Sequence, residues 1–225
     1  MTENGARTVH IPEVAVRRLP VYLRVLNQLR RQGVDIISSA ELARHTGYSS
    51  EQIRKDLAYF GAFGTRGVGY STELLAQRIR SILGLEQPIP AAIVGAGHLG
   101  TALARYNIVR DRDIRIVALF DNDPRKVGTY IEGVRVYDAE RMKDIIAEQG
   151  IRLAIVSVPG SAAQDVTQRL VAAGVRAILN FSPVNLVVPE HVYVQDIDLS
   201  LELQSLAYYV SKAQGHGRRR RKADA

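Results

Sequence analysis

The run AAIVGAGHLG carries glycines at 95, 97 and 100, a GxGxxG spacing set between an apolar stretch and a helical one. That spacing suits the pyrophosphate of a dinucleotide. Gly95 permits a tight turn, Gly97 lets the backbone approach the phosphates, and Gly100 allows a helix to pack close to a strand. Ala96, His98 and Leu99 come with them, at a helix N-terminus whose N–H groups attract anions. The next apolar run ends in LFD and places Asp121 21 residues beyond Gly100, where a carboxylate can accept hydrogen bonds from the adenosine ribose hydroxyls. A carboxylate there would repel the 2′-phosphate of NADP, so the spacing predicts NAD(H). The plainer alternative is that these glycines merely serve a tight strand-to-helix turn in an α/β fold that holds no nucleotide.

A second constellation lies in SSEQIRKDLAYF, Ser49 to Phe60. Ser49 with Gln52 three positions later forms a capping-box signature that opens a helix. Ile53, Leu57 and Phe60 fall on one face and can pack inward, which leaves Gln52, Lys55, Asp56 and Tyr59 on the other. Gln52 and Lys55 suit base edges in a DNA major groove, while Ser50 and Arg54 suit phosphates. The following GAFGTRGVGY, Gly61 to Tyr70, reads as a glycine-rich hairpin with Arg66 at its tip, aimed at a minor groove, and Tyr70 is assigned to the same surface. The plainer alternative is that these are ordinary solvated charges on a small helical domain.

The elements that must position these residues follow from periodicity. Residues 12–32 read as an amphipathic helix, Ser38 and Ser39 cap a short one over Ala40 to His45, and Gly47 turns the chain into the Ser49 helix. Three helices and a hairpin give a winged helix-turn-helix over residues 1–84, closed by a helix at 72–84. LEQPIP, Leu85 to Pro90, marks the boundary. Beyond it, strands at 91–95, 114–120, 134–137, 152–158, 176–181 and 192–195 alternate with helices at 98–109, 139–149 and 161–173. The fold class is therefore α/β, with a Rossmann-type doubly wound parallel sheet over residues 85–196. An amphipathic helix at 197–213 and a basic tail at 214–225, expected to be disordered, complete the chain.

Composition narrows the function. The absence of cysteine excludes disulfides and thiol-based redox sensing, and five scattered histidines give no metal-ligand spacing, so no metal site is expected. Residues 1–84 hold 12 basic and 7 acidic side chains, and the tail from Arg218 holds 5 basic residues with Asp224. The surplus thus sits at the two ends, where a polyanion would be met, against 13 basic and 15 acidic residues between them. The RRRRK run could add salt-sensitive phosphate affinity or simply solubilise the chain. No stretch approaches the ~20 apolar residues of a membrane helix, and a cytoplasmic protein is expected.

The strings SSAELARHTGYSSEQIRKDLAYFGAFGTRGVGY, IVGAGHLG, FDNDPRKVG and ILNFSPV together resemble the Rex family of redox-sensing transcriptional repressors. RKDLAYFG followed by GTRGVGY is the most specific part, and the likeness spans nearly the whole chain to about Gln214. The resemblance implies a homodimer whose C-terminal helix swaps onto the partner. It also implies an inverted-repeat operator, release of that operator by NADH, and competition from NAD⁺. By the same resemblance Arg24, Tyr106 and Asp198 take part in switching, Tyr106 near the nicotinamide; the family often has an aromatic residue after that aspartate, where this chain has Leu199. A nicotinamide pocket walled by Val158, Pro159, Asn180, Phe181 and Pro183 would favour the uncharged reduced ring.

Two rival classes remain at this stage. An NAD-dependent dehydrogenase would use the same cradle, but no substantial segment follows the sheet for a substrate domain, and the region past Gly160 offers only His191 and His216 as histidines for acid-base work. A binding module of the succinyl-CoA-ligase type shares the fold but leaves residues 38–70 unexplained. The expectation is a repressor and not an enzyme.

Overall fold

A computed structural model describes residues 12–61, 64, 65, 67–110 and 113–223, with side chains for all of these except 107–110 and 213–223. Arg66, at the expected hairpin tip, and the side chains of the RRRRK run lie outside the described residues. The chain divides into two compact units, Met1–Gln87 and Pro88–Ala225.

In the first unit, α1 (Glu13–Arg31) buries Leu19, Tyr22, Leu23, Leu26 and Leu29, the stripe its periodicity demands. α2 (Ser39–Thr46) is closed by Gly47 in the left-handed region at φ 76°, which turns the chain into α3 (Ser50–Ala58). The reciprocal capping box forms at α2: Ser38 Oγ accepts from Glu41 N–H at 3.1 Å, and the Glu41 carboxylate accepts from Ser38 N–H at 2.8 Å. At α3 only half of the expected box exists. Ser49 Oγ accepts from Gln52 N–H, but the Gln52 side chain bonds elsewhere. The strand β1 (Ile36–Ile37), too short to show in the pattern, pairs antiparallel with β3 (Gly69–Ser71), which pairs with β2 (Gly64–Thr65) to make the wing. α4 (Thr72–Ile82) follows, capped by Ser71 and tied back through Thr72 Oγ1 to the Val34 carbonyl at 2.7 Å.

In the second unit, β4 (Ile89–Val94), β5 (Ile114–Asp121), β7 (Val134–Asp138), β8 (Leu153–Val156), β9 (Ala177–Asn180) and β10 (Tyr193–Asp196) pair in parallel. β6 (Tyr130–Ile131), absent from the sequence reading, adds an antiparallel edge. The order is β10-β9-β8-β4-β5-β7-β6. β4 therefore lies at the point where strand order reverses, and a crevice opens there at the strand carboxyl ends. Period-two alternation sends Ala91 and Ile93 to one face, with Ala104 of α5 (His98–Arg110). Ala92 and Val94 go to the other, with α6 (Met142–Glu148) and α7 (Gly160–Ala172). The helix expected at 139–149 begins as a tighter 3-10 turn, Ala139–Arg141, before α6. The last helix, α8 (Leu199–Ala223), runs on past Lys212. Its Leu199, Leu201, Leu203, Leu206, Tyr208, Tyr209 and Val210 are 57–68% exposed.

Candidate nucleotide crevice and nucleic-acid interface

Each glycine of the first motif meets a different constraint. Gly95 holds φ at +98°, and a Cβ on it would stand 2.6 Å from the Ser157 carbonyl oxygen. A Cβ on Gly100 would overlap the Gly95 carbonyl oxygen, so α5 approaches β4 as closely as only glycine permits. Gly97 has nothing within 4 Å of its would-be Cβ. Its face is open and its φ is not in the left-handed region, so packing alone does not require a glycine there. The cleft beside it is about 640 Å³, lined by Ala96, Gly97, His98, Thr101, Arg105 and Lys126. These residues fit a dinucleotide pyrophosphate: a bare backbone turn, a helix N-terminus and two cationic side chains.

Asp121 departs from the simple ribose-acceptor role. Only 8% exposed, it accepts from Ala96 N–H at 2.8 Å and Lys126 Nζ at 3.0 Å through Oδ2, and from Asp123 N–H at 2.9 Å through Oδ1. Burial alone would raise its pKa, but these donors outweigh burial and hold the carboxyl below its ordinary range. A carboxylate offers about four acceptor positions, so one remains for a hydroxyl. The charge that would repel a 2′-phosphate is thus shared with Lys126. Next to it, the Arg125 guanidinium holds Asp123 down at about 2. Lys126 escaped the sequence reading; its signal was its place five residues after Asp121, in the turn DNDPRK.

The second wall of the crevice also needs one correction. Val158 and Phe181 are half-buried and Pro159 and Pro183 exposed beyond β8 and β9, but the Asn180 side chain, 1% exposed, faces inward. The two hydrogens on its Nδ2 serve Asp196 Oδ1 (2.8 Å) and the Val184 carbonyl (2.9 Å), one of them shared with the Ser182 carbonyl at 3.2 Å, and its Oδ1 accepts from Ser182 N–H (2.9 Å). A buried amide must satisfy all its donors and acceptors, and this one does so by knotting the loop behind Phe181. Ser182, unnoticed in the sequence, donates to the Val158 carbonyl at 2.7 Å and joins the two loops. Tyr106 lies on α5 at 63% exposure. Asp198 Oδ1 caps α8, accepting from Ser200 and Leu201 N–H. Arg24 is exposed on α1, in the first unit.

On α3, Lys55 and Arg54 are exposed and Ser50, Gln52 and Tyr59 half-buried. Arg54 Nη1 donates to Ser39 Oγ at 3.0 Å, beside the α2 N-terminus, in a cleft of about 490 Å³ that runs to the wing. Tyr70 packs against the core, and a Cβ on Gly64 would stand 2.8 Å from its ring, so it shapes the wing.

Asp56 is not on the outward face at all. It is fully buried, and Arg18 of α1 grips it with Nε to Oδ2 at 2.6 Å and Nη2 to Oδ1 at 2.7 Å. Tyr22 Oη donates to Oδ2 at 2.7 Å and Gln52 Nε2 to Oδ1 at 2.8 Å. Desolvation pushes this carboxyl up, and the hydrogen bonds from Arg18, Tyr22 and Gln52 bring it below its usual range. The hydrogen bond to Asp56 correspondingly raises Arg18, and burial with that same carboxylate raises Tyr22. Arg18 also lies over the Tyr48 ring, 5.8 Å from its centroid. Asp56 is thus the pin between α1 and α3, and the reading of it as a DNA contact is withdrawn.

Known proteins agree with both halves. The model of a DNA-binding protein N-terminus matches residues 10–58, and that of a CoA binding domain matches residues 86–184. The redox-sensing transcriptional repressor Rex of Natranaerobius thermophilus is 48% identical over 88% of this chain and 90% of its own. That of Roseiflexus sp. is 51% identical over 89% and 91%. Among solved structures, RSP, a Rex-family repressor, in complex with β-NAD⁺ and operator DNA has a TM-score of 0.85 at 37% identity, covering 93% of this chain and 96% of that one. RSP with β-NADH has a TM-score of 0.80 at 36% identity, over 92% and 97%. The chain belongs to the Rex family of redox-sensing transcriptional repressors.

Proposed function

We propose that this chain represses transcription by binding operator DNA through α3 and the wing, and that it releases the DNA when NADH occupies the crevice at Gly95–Gly100. The observation that carries this reading is the pairing, in one chain, of a helix-turn-helix with a cradle whose Gly97 is bare on its open side. The cofactor differs between its two forms by a positive charge on the nicotinamide ring. Val158, Pro159, Phe181 and Pro183 favour the neutral form, because apolar walls do not repay the desolvation of a charge. Lys126 and the N–H groups opening α5 hold the phosphates of either form alike, so discrimination rests on the apolar loops.

The chain acts as a homodimer in the cytoplasm, without catalysis. The apolar residues of α8 supply a surface that a second copy would bury; among the described residues, no helix is long and apolar enough to cross a membrane. Arg24, Tyr106 and Asp198 take part in switching. On the DNA, Lys55 and Gln52 read base edges while Ser50, Arg54 and Arg66 hold backbone and groove.

The test is fluorescence anisotropy on a labelled duplex from the gene's own upstream region, titrated separately with NADH, NAD⁺ and NADPH. Release at far lower NADH than NAD⁺ or NADPH is expected, with steep loss of affinity as salt rises. Binding that ignores all three nucleotides would overturn the reading.

A further inference from the structure

We propose that buried Asp56 is a specificity-positioning residue: it fixes the carboxamide of Gln52 so that α3 presents a preset acceptor and donor pair to one adenine in each half-site. This rests on the reading of α3 as the helix that enters the major groove.

The orientation follows from valence. An ionised carboxylate only accepts hydrogen bonds, so the Gln52 group 2.8 Å from Asp56 Oδ1 is the amide nitrogen and never the carbonyl. Nor can Asp56 turn away. Its four acceptor positions are filled by Arg18 Nε and Nη2, Tyr22 Oη and Gln52 Nε2. Gln52 and Asp56 are four residues apart on one helix, so their side chains meet over a single turn. What remains on Gln52 is the carbonyl Oε1 and the second N–H, neither with a protein partner among the described residues. That pair matches the major-groove edge of adenine, whose N6–H donates and whose N7 accepts.

A free glutamine must give up side-chain rotamers to make such a contact; one already held to a rigid carboxylate has less to lose. Arg18 and Tyr22 extend the restraint to α1, so the base-reading group is referenced to the core of the domain. Lys55, exposed on the same helix, has no such restraint from Asp56 and serves as an internal control.

The experiment selects duplexes from a randomised library with the full-length wild-type chain, then with Gln52→Ala, Asp56→Asn and Lys55→Ala. Gln52→Ala should erase one adenine preference per half-site, from about tenfold or more to under about threefold, and leave the other positions intact. Asp56→Asn should flatten that same position, because an asparagine can meet either end of the Gln52 amide. Equal weakening on all sequences with the adenine preference intact would reduce Asp56 to a purely structural role and overturn the proposal. Should Gln52→Ala change no preference while Lys55→Ala does, the proposal fails and α3 still reads DNA; should neither change any, the reading of α3 fails with it. Where Asp56→Asn does not fold, the wild-type Gln52 side-chain amide decides by NMR relaxation without DNA. An order parameter near ~0.8 supports the restraint and one below ~0.6 removes it.

Discussion

Gly97 and Gly100 stand three residues apart in one motif, and a methyl group should act on them in opposite ways. At Gly100 the added Cβ would overlap the Gly95 carbonyl oxygen and stand 2.9 Å from Ser157 Oγ. The serine can rotate; the backbone carbonyl cannot, so α5 must lift from β4. Overpacking of this kind costs about 1–3 kcal/mol. For a unit of this size each kcal/mol lowers the melting point by about 4 °C, so Gly100→Ala should melt ~4–12 °C lower. At Gly97 the new Cβ meets no atom within 4 Å, and stability should change by less than about 0.5 kcal/mol. The methyl instead occupies the open side of the cradle, and NADH affinity should fall at least tenfold. Differential scanning calorimetry reads the first effect and isothermal titration with NADH the second. Two units can melt separately, and the transition of the nucleotide unit is the one that rises with ligand, by about 2.7 kcal/mol at a hundredfold excess over Kd. A Gly100→Ala protein melting within a degree of wild type, or a Gly97→Ala protein binding NADH normally, would refute the division of labour.

Two further perturbations follow from the ion pairs. Asp56→Ala strips a buried carboxylate from Arg18 and should cost about 3–5 kcal/mol at pH 7. Because the folded pKa is depressed, the wild-type advantage is fully present above the unfolded value of about 3.9 and fades as pH falls through the lower folded one. Urea unfolding at pH 7 and pH 3 should therefore show the gap between the two proteins narrowing in acid; a gap independent of pH would contradict this. Lys126→Ala removes a partner whose side chain is 39% exposed, so stability should change by only about 0–1 kcal/mol. It leaves Asp121 without its neutralising cation, and competition titrations should show NADPH weakened more than NADH; equal weakening would mean that Lys126 serves the shared phosphates alone.

Local and periodic features were readable in the sequence, and long-range polar pairing was not. The GxGxxG junction, the αL glycine at 47 and the alternating strands are written in spacing along the chain, because each depends on neighbours within a turn or two. Asp56 shows the limit. It lies about 60° around the helix from Ile53, on the margin between buried and exposed faces, where periodicity cannot choose. Its burial is decided by Arg18, 38 residues earlier. Asn180 shows the same limit: it was placed in the wall of the pocket with its neighbours Phe181 and Pro183, whereas its side chain turns inward to a partner, Asp196, 16 residues later. β1 and β6 were missed because two residues carry no period. Asp121 stands at the end of β5 as its spacing predicts, but the Ala96 N–H already on it depends on the fold and was not readable, and Lys126, five residues on, was passed over.

The inward-facing Asn180 ties the loop bearing Phe181 to the strand that leads into α8. Through its side chain it holds the Ser182 and Val184 carbonyls of the loop bearing Phe181 and Pro183, and also the Asp196 carboxylate. Its backbone carbonyl accepts from Ile197 N–H at 2.8 Å. Asp196 and Ile197 lead directly into Asp198, which caps α8. One buried amide thus contacts both the loop of Phe181 and the residues two and three positions before α8. A hundredfold response to a ligand needs a coupling of only about 2.7 kcal/mol, the scale of two or three hydrogen bonds made in one arrangement and strained in another. If the loop shifts as a unit when the crevice fills, Asn180→Ala, which frees the Ser182 and Val184 carbonyls from Asp196, should reduce the response of DNA affinity to NADH; an unchanged response would refute this coupling.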